Sequence, residues 1–262
     1  MFRILNIKGT VLDRNQLEDY MEKLASDNTI KNVSDKETYP IPRMLENFDL
    51  ITNVYNILNL HLKLGINIHP AGEWILDNYY VIEETVKVIQ DNLTINKYIN
   101  FVGIDNGQYK GVARIYFLAA QMCAYTDNNI NKDNIIYMLK AYQRKKSLSM
   151  DEIWNIGIFL QICIIEKIAE VCEKIYSSQM QKYRVENIVE RLVDQKPKEE
   201  QVYKNDKNYR SSKLGYREMK YPFIEYMSYK LKKSGKKAYG YLEALEEQVE
   251  KMGSNVSDVI KK

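Results

Sequence analysis

Between Arg43 and Asn92 apolar residues return every three or four positions, and the rhythm breaks once, from Gly65 to Pro70. A strand alternates with a period of two, so this pattern demands a pair of long amphipathic helices. In the first, from about Arg43 to Leu64, the residues Leu45, Phe48, Ile51, Tyr55, Leu58 and Leu62 are expected to face inward. Gly65 ends it, because glycine takes a left-handed conformation beyond a helix end without strain. Pro70 opens the second, since its missing amide proton would be unpaired in a first turn anyway. This helix should reach about Asn92, with Ile75, Tyr79, Ile82, Val86 and Ile89 on one face. With 11 glycines and 5 prolines in 262 residues, the rest of the chain has few places to turn. A sandwich of short strands needs more turn-formers, and a disordered chain holds fewer apolar residues than the 45% found here. The expected fold class is all-α.

Further helices are expected over about Asn15 to Leu24, Val112 to Tyr125 and Lys132 to Arg144. Tyr39-Pro40-Ile41-Pro42 reads as extended, because each proline pushes the residue before it out of the helical region. Gly103, Gly107 and Gly111 read as a permissive surface turn. Ser149 opens a very apolar helix, and its spacing to Glu152 makes a capping box. Ile153 to Ile165 is apolar around nearly its whole circumference, which predicts a central buried helix, continued over 166–193 by one or two more. Hydrophobicity collapses over 196–215, read as a linker between a helical domain of 1–195 and a smaller helical piece of 216–262. In that piece Phe223, Met227 and Leu231 line one helix, and Leu242, Leu245 and Val249 another. Residues 254–262 read as the opening of a further helix, as in a segment of a longer protein. The architecture expected is a multi-helix bundle or array.

No apolar run approaches the roughly 20 residues that span a bilayer. The longest candidate, Ile153 to Ile165, has 13 and carries Asn155 and Gln161. No secretory leader is visible, and Cys123, Cys163 and Cys172 are odd in number and far apart, which argues against a disulfide framework. A reduced, cytoplasmic setting is expected. There is no phosphate-binding loop, no cysteine pair spaced for zinc and no nucleophile elbow, so neither metal nor cofactor is expected. His69, before Pro70, reads as a cap or loop residue.

One constellation could carry chemistry: Glu73, Asp77, Tyr80 and Glu84 on the polar face of the second long helix, flanked by Trp74 and Asn78. Paired carboxylates beside an aromatic can hydrolyse a glycosidic bond, but such pairs normally face each other across a cleft. A solvated or ion-paired stripe is the plainer reading, as Glu83 and Lys87 illustrate at a spacing of four. An architectural motif would pack Trp74 at the helix flank and bond Asn78 with Glu73 or Asp77 to another segment. A catalytic one would turn two carboxylates into an open cleft.

Charge is uneven. Residues 196–240 hold 13 Lys or Arg against 5 Asp or Glu, interleaved with tyrosines. A solvated helix end comes first, contact of 220–240 with an anionic membrane surface next, and nucleic acid last.

The stretch His69-Pro-Ala-Gly-Glu73-Trp74-Ile-Leu-Asp77-Asn78-Tyr-Tyr80-Val-Ile-Glu83-Glu84 resembles a signature of cyclic β-1,2-glucan synthases. The resemblance continues through Tyr109 to Ala124, Ala141 to Arg144, Leu148 to Trp154, Leu160-Gln161 and Ile164 to Lys167. Tyr221 to Lys230 and Met252 to Lys262 also fit, while Gln161 departs from the family pattern, which has arginine there. The resemblance implies a helical, cytoplasmic, N-terminal region of a large bacterial membrane protein that transfers glucose from UDP-glucose. It further implies partners in the glycosyltransferase and membrane parts of that parent. The aspartate motifs and the Gln-x-x-Arg-Trp motif of glucose transfer are absent from this sequence, so no catalytic residue carries over. Three functions stay open: a non-catalytic region aiding assembly or regulation, a glucan-acting enzyme using the 69–84 carboxylates, and a basic, tyrosine-rich binding module.

Overall fold

The expected helices form among the described residues, several of them with shifted bounds. The computed structural model describes residue 7 and residues 9–193 and 221–251, and among them it contains nine α-helices. The expected linker at 196–215 and the last expected helical turns at 254–262 lie outside the described residues. The chain packs as two compact units, one of Met1–Tyr55 with Trp74–Cys172 and one of Asn56–Glu73 with Glu173–Lys262.

In the first unit, α1 (Arg14–Asp27) opens on a capping box in which Asp13 and Gln16 each accept the other's backbone N–H. It packs on α6 (Lys132–Gln143), and Arg144 beyond the end of α6 pairs with both Glu18 and Glu22. The glycine-rich stretch is more than a surface turn. Gly103 and Ile104 form a strand, β2, antiparallel to β1 (Ile30–Lys31), with Ile30 opposite Ile104 and Lys31 opposite Gly103. Gly103 is buried, and a Cβ there would meet the Val33 carbonyl oxygen at 2.6 Å, so glycine is required by close approach. Only Gly107, at φ +65° in the open, behaves as a permissive turn residue.

Tyr98, buried at the end of the short α4 (Ile95–Ile99), fastens this corner. Its hydroxyl accepts the Ala113 N–H at 3.1 Å and lies 2.8 Å from Thr38 Oγ1, which sits 2.9 Å from the Gly111 carbonyl. Burial pushes the Tyr98 phenol up to about 12, against the pull of its own hydrogen bonds.

The two long helices are α2 (Ile41–Lys63) and α3 (Pro70–Asn92). Helix α2 starts two residues earlier than expected. Ile41 and Pro42 lie in its first turn, where a missing amide proton costs nothing, so only Tyr39 and Pro40 stay outside the helix. Its buried residues are Ile41, Met44, Ile51, Val54, Ile57, Leu58 and His61, whereas Leu62, expected inward, is exposed. Helix α3 buries Ile75, Ile82, Val86 and Ile89 as expected. Tyr79, half-buried, stacks on Tyr55 with ring centres 4.1 Å apart and shares a 2.9 Å hydrogen bond with Thr52.

Helix α5 (Arg114–Tyr125) is buried continuously from Arg114 to Cys123. Burial on all sides therefore belongs to α5, not to the opening of α7. That helix runs unbroken as Met150–Val193, 44 residues, where one or two helices were expected after 165. It is the long central helix of the fold, but over 150–165 it buries one face only. Phe159, Leu160, Ile162, Cys163 and Ile165 are buried, Ile153 and Ile156 are intermediate, and Trp154 is 72% exposed. Phe159 is fully buried among Tyr98, Phe101 and Tyr116, with ring centres at 6.3, 5.4 and 5.6 Å.

The second unit gathers the end of α2, the turn with Gly65 at φ +68°, the end of α7, α8 (Tyr221–Lys233), a 3-10 turn (Gly235–Ala238) and α9 (Tyr239–Lys251). Val185, Val189, Met227, Leu231 and Ala238 form one of its cores, joined by Leu242 and Leu245. Ile57, Ile66, Met180 and Tyr183 form another. Beside it lies His61, fully buried, its Nδ1 3.1 Å from Gln179 Oε1 and its ring stacked on Tyr183. With the amide oxygen turned to the ring, Nδ1 carries the proton. Burial lowers the His61 pKa below 6.5, outweighing the Gln179 hydrogen bond that raises it.

The unfolded chain therefore binds a proton at His61 before the folded one does. Its contribution to stability is present above about pH 6.5 and is lost as pH falls through the folded value. The urea midpoint of the protein is expected to drop between about pH 7.5 and 5.5, with a shallower drop in His61→Gln. Equal slopes in the two proteins would refute this assignment.

Candidate functional site

Helix α3 carries nearly all of the 69–84 motif, with its acidic stripe on the exposed face. The His69 ring accepts the Ala71 N–H at 3.1 Å, and the His69 carbonyl accepts the N–H groups of Gly72 and Glu73 at 2.7 and 3.2 Å. His69 is thus the cap residue that the sequence suggests. Gly72 is buried, and a Cβ there would meet Ile68 at 2.7 Å and Leu58 at 3.1 Å, so this glycine lets the turn close on itself.

At 100° per residue, Glu73, Asp77, Tyr80 and Glu84 fall within about 60° of one another. All four are exposed. Trp74, Val81 and Val88 run along the flank of that stripe at intervals of seven, each roughly half exposed. Asn78 donates to the Trp74 carbonyl of its own helix at 2.8 Å. Among the described residues, Glu73, Asp77 and Glu84 make no hydrogen bond or ion pair to another segment, while Glu83 and Lys87 pair at 3.5 Å as expected. Neither arrangement anticipated for the motif is therefore found. Trp74 is not packed away, and the carboxylates sit side by side on a convex helix rather than opposed across a cleft. A glycosidic bond must lie between an acid and a base or nucleophile. Two carboxylates on one outward face cannot flank it.

Two further polar pairs inside the first unit were not foreseen as pairs. Arg114, opening α5, grips Glu152 with Nε to Oε1 at 2.8 Å and Nη2 to Oε2 at 2.5 Å, and the two side chains are 3% and 0% exposed. Glu152 is also the expected capping-box acid: its Oε2 accepts the Ser149 N–H at 2.8 Å, and its own N–H reaches Ser149 Oγ at 3.3 Å. The only sequence signal for the pair was that capping box, with an arginine set among apolar residues at 112–120. The second pair is Arg43 with Glu166, Nε to Oε1 at 3.1 Å, with the Tyr116 hydroxyl 3.5 Å from the same oxygen. Burial raises the Glu166 carboxyl above its ordinary range, and Arg43 acts against that shift.

A raised acid occurs at active sites and in structural ion pairs alike. A cavity of about 200 Å³ lies elsewhere, lined by Leu12, Arg14, Leu17, Thr126, Asn129 and Tyr137. It falls below the roughly 300 Å³ at which small-molecule sites begin. Cys123, Cys163 and Cys172 are all buried free thiols; burial pushes Cys172 up to about 12, as suits a small inert core residue, while a hydrogen bond with Cys163 lowers Cys123. Among the described residues no cluster of His, Cys, Asp or Glu could hold a metal ion, and no helix is long and apolar enough to cross a membrane.

No protein-family profile matches the chain. It is similar to the cyclic beta-(1,2)-glucan synthase NdvB of Rhizobium meliloti (strain 1021), with 24% identity over 152 residues, 58% of this chain. The chain spans about 5% of that relative's own length. This helical protein is distantly related to a cyclic β-glucan synthase.

Proposed function

We propose that this chain is the helical N-terminal region of a cyclic β-1,2-glucan synthase-like protein, non-catalytic in itself. It aids the assembly or regulation of the glycosyltransferase part at the cytoplasmic face of the membrane. The observation that carries this reading is the similarity to NdvB, which takes in 58% of this chain but only 5% of a far longer enzyme. The outward, unopposed carboxylates of α3 agree with a role other than turnover. The half-exposed line of Trp74, Val81 and Val88 suits a contact surface more than a core.

The test has two arms. Incubated alone with UDP-glucose and β-1,2-glucan, the chain is expected to leave both unchanged. Co-expressed with the glycosyltransferase part, it is expected to raise glucan output, with Trp74→Ala weakening the effect while leaving thermal stability nearly intact. Turnover by the chain alone, lost in Glu73→Gln or Asp77→Asn, would instead establish the enzyme.

A further inference from the structure

The corner that joins α8 to α9 is strongly basic. From Tyr226 to Leu242 there are five lysines and no acidic residue. Lys230 is spent within the fold, bonded to Glu186 at 2.5 Å. Lys232, Lys233 and Lys236 are exposed. On either side of them along the chain stand Tyr229, Tyr239 and Tyr241, at 48%, 64% and 42% exposure, and the Lys233 ammonium lies 6.0 Å from the centre of the Tyr229 ring. Underneath, Leu231 and Ala238 are buried in the core that includes Val185, Val189 and Met227, so the corner is held on packed residues. Gly235, at φ +68° with open space around it, turns the chain there.

We propose that this corner is a docking surface for an anionic phospholipid bilayer. Lysine ammoniums are drawn to acidic headgroups, and tyrosine suits the interface, its ring meeting acyl chains while its hydroxyl stays in water. Exposed acids flank the corner at Glu225 and Glu243, which confines the attraction to one patch. The composition favours lipid over nucleic acid. Residues 221–251 contain no arginine, the side chain suited to bidentate phosphate and base recognition. The surface would hold the chain against a membrane.

The experiment is cosedimentation of the full chain with phosphatidylcholine vesicles, with and without phosphatidylserine. Binding is expected only with the acidic lipid and should fall as salt rises. Each of Lys232→Ser, Lys233→Ser and Lys236→Ser should lower partitioning about fivefold, and the triple variant about a hundredfold. Tyr239→Ser with Tyr241→Ser should weaken the part of the binding that survives salt. All five positions are exposed, and unchanged thermal melts will show that the variants fold. Equal binding to neutral vesicles, full binding by the triple variant, no binding at all, or displacement of the vesicles by single-stranded nucleic acid would each overturn the proposal. None of these outcomes bears on whether the chain raises glucan output.

Discussion

Replacing Glu152 with Ala is expected to destabilise the protein by about 3 to 5 kcal/mol, because it leaves the Arg114 guanidinium buried with its charge uncompensated. The side chains of Arg114 and Glu152 are 3% and 0% exposed, and two parallel hydrogen bonds join them. In such a place the attraction within the pair roughly offsets the cost of taking both ions out of water, so the intact pair adds little net stability. Removing one partner exposes that cost in full. Glu152→Ala also takes away the acceptor for the Ser149 N–H at the start of α7, a loss of about 1 kcal/mol on its own. The double variant Arg114→Met, Glu152→Leu should recover most of the loss, since neither ion then remains to be desolvated. Urea denaturation of the three proteins tests this. A loss below about 1 kcal/mol in Glu152→Ala would mean that water reaches Arg114.

Glu152 also shows where sequence reasoning stopped. Its capping box is a local pattern, four residues long, and was legible because the groups that satisfy each other are close neighbours in the chain. Its second partner lies 38 positions away, and no periodicity links the two. The same contrast runs through the fold. Helix α3 begins and ends at the residues its proline and polar end suggested, and Gly65 has the positive φ expected of it. What a helix face meets was less legible. Leu62 fits the apolar rhythm of α2 but stands exposed, because Val54, Ile57 and His61 turn the buried face away from it. The strand at Gly103 was hidden because a two-residue ribbon leaves no alternating pattern. The candidate site was legible as one face of one helix. Whether that face met a cleft, a neighbour or solvent was not, since exposed side chains carry no record of what covers them.

The sharpest energetic contrast lies within a single turn and a half of α7. Phe159 and Trp154 are five residues apart, both large and aromatic, and both belong to the apolar run that predicted a helix buried all round. Phe159 is fully buried, edge-on to Phe101 at 80° and near-stacked on Tyr116 at 29°. Phe159→Ala is expected to cost about 3 to 5 kcal/mol: it forfeits the transfer of a ring out of water and opens a cavity among three other rings. Tyr98 is tied to Ala113 and Thr38 by its hydroxyl, so it cannot swing into the gap without breaking those bonds. Trp154, 72% exposed, gives the opposite forecast, a change within about 0.5 kcal/mol on Trp154→Ala. Thermal and urea melts of both variants decide the matter. Comparable losses would mean that Trp154 is covered in solution by a surface the described residues do not supply, and a small loss for Phe159→Ala would show that the ring cluster can collapse around the missing side chain.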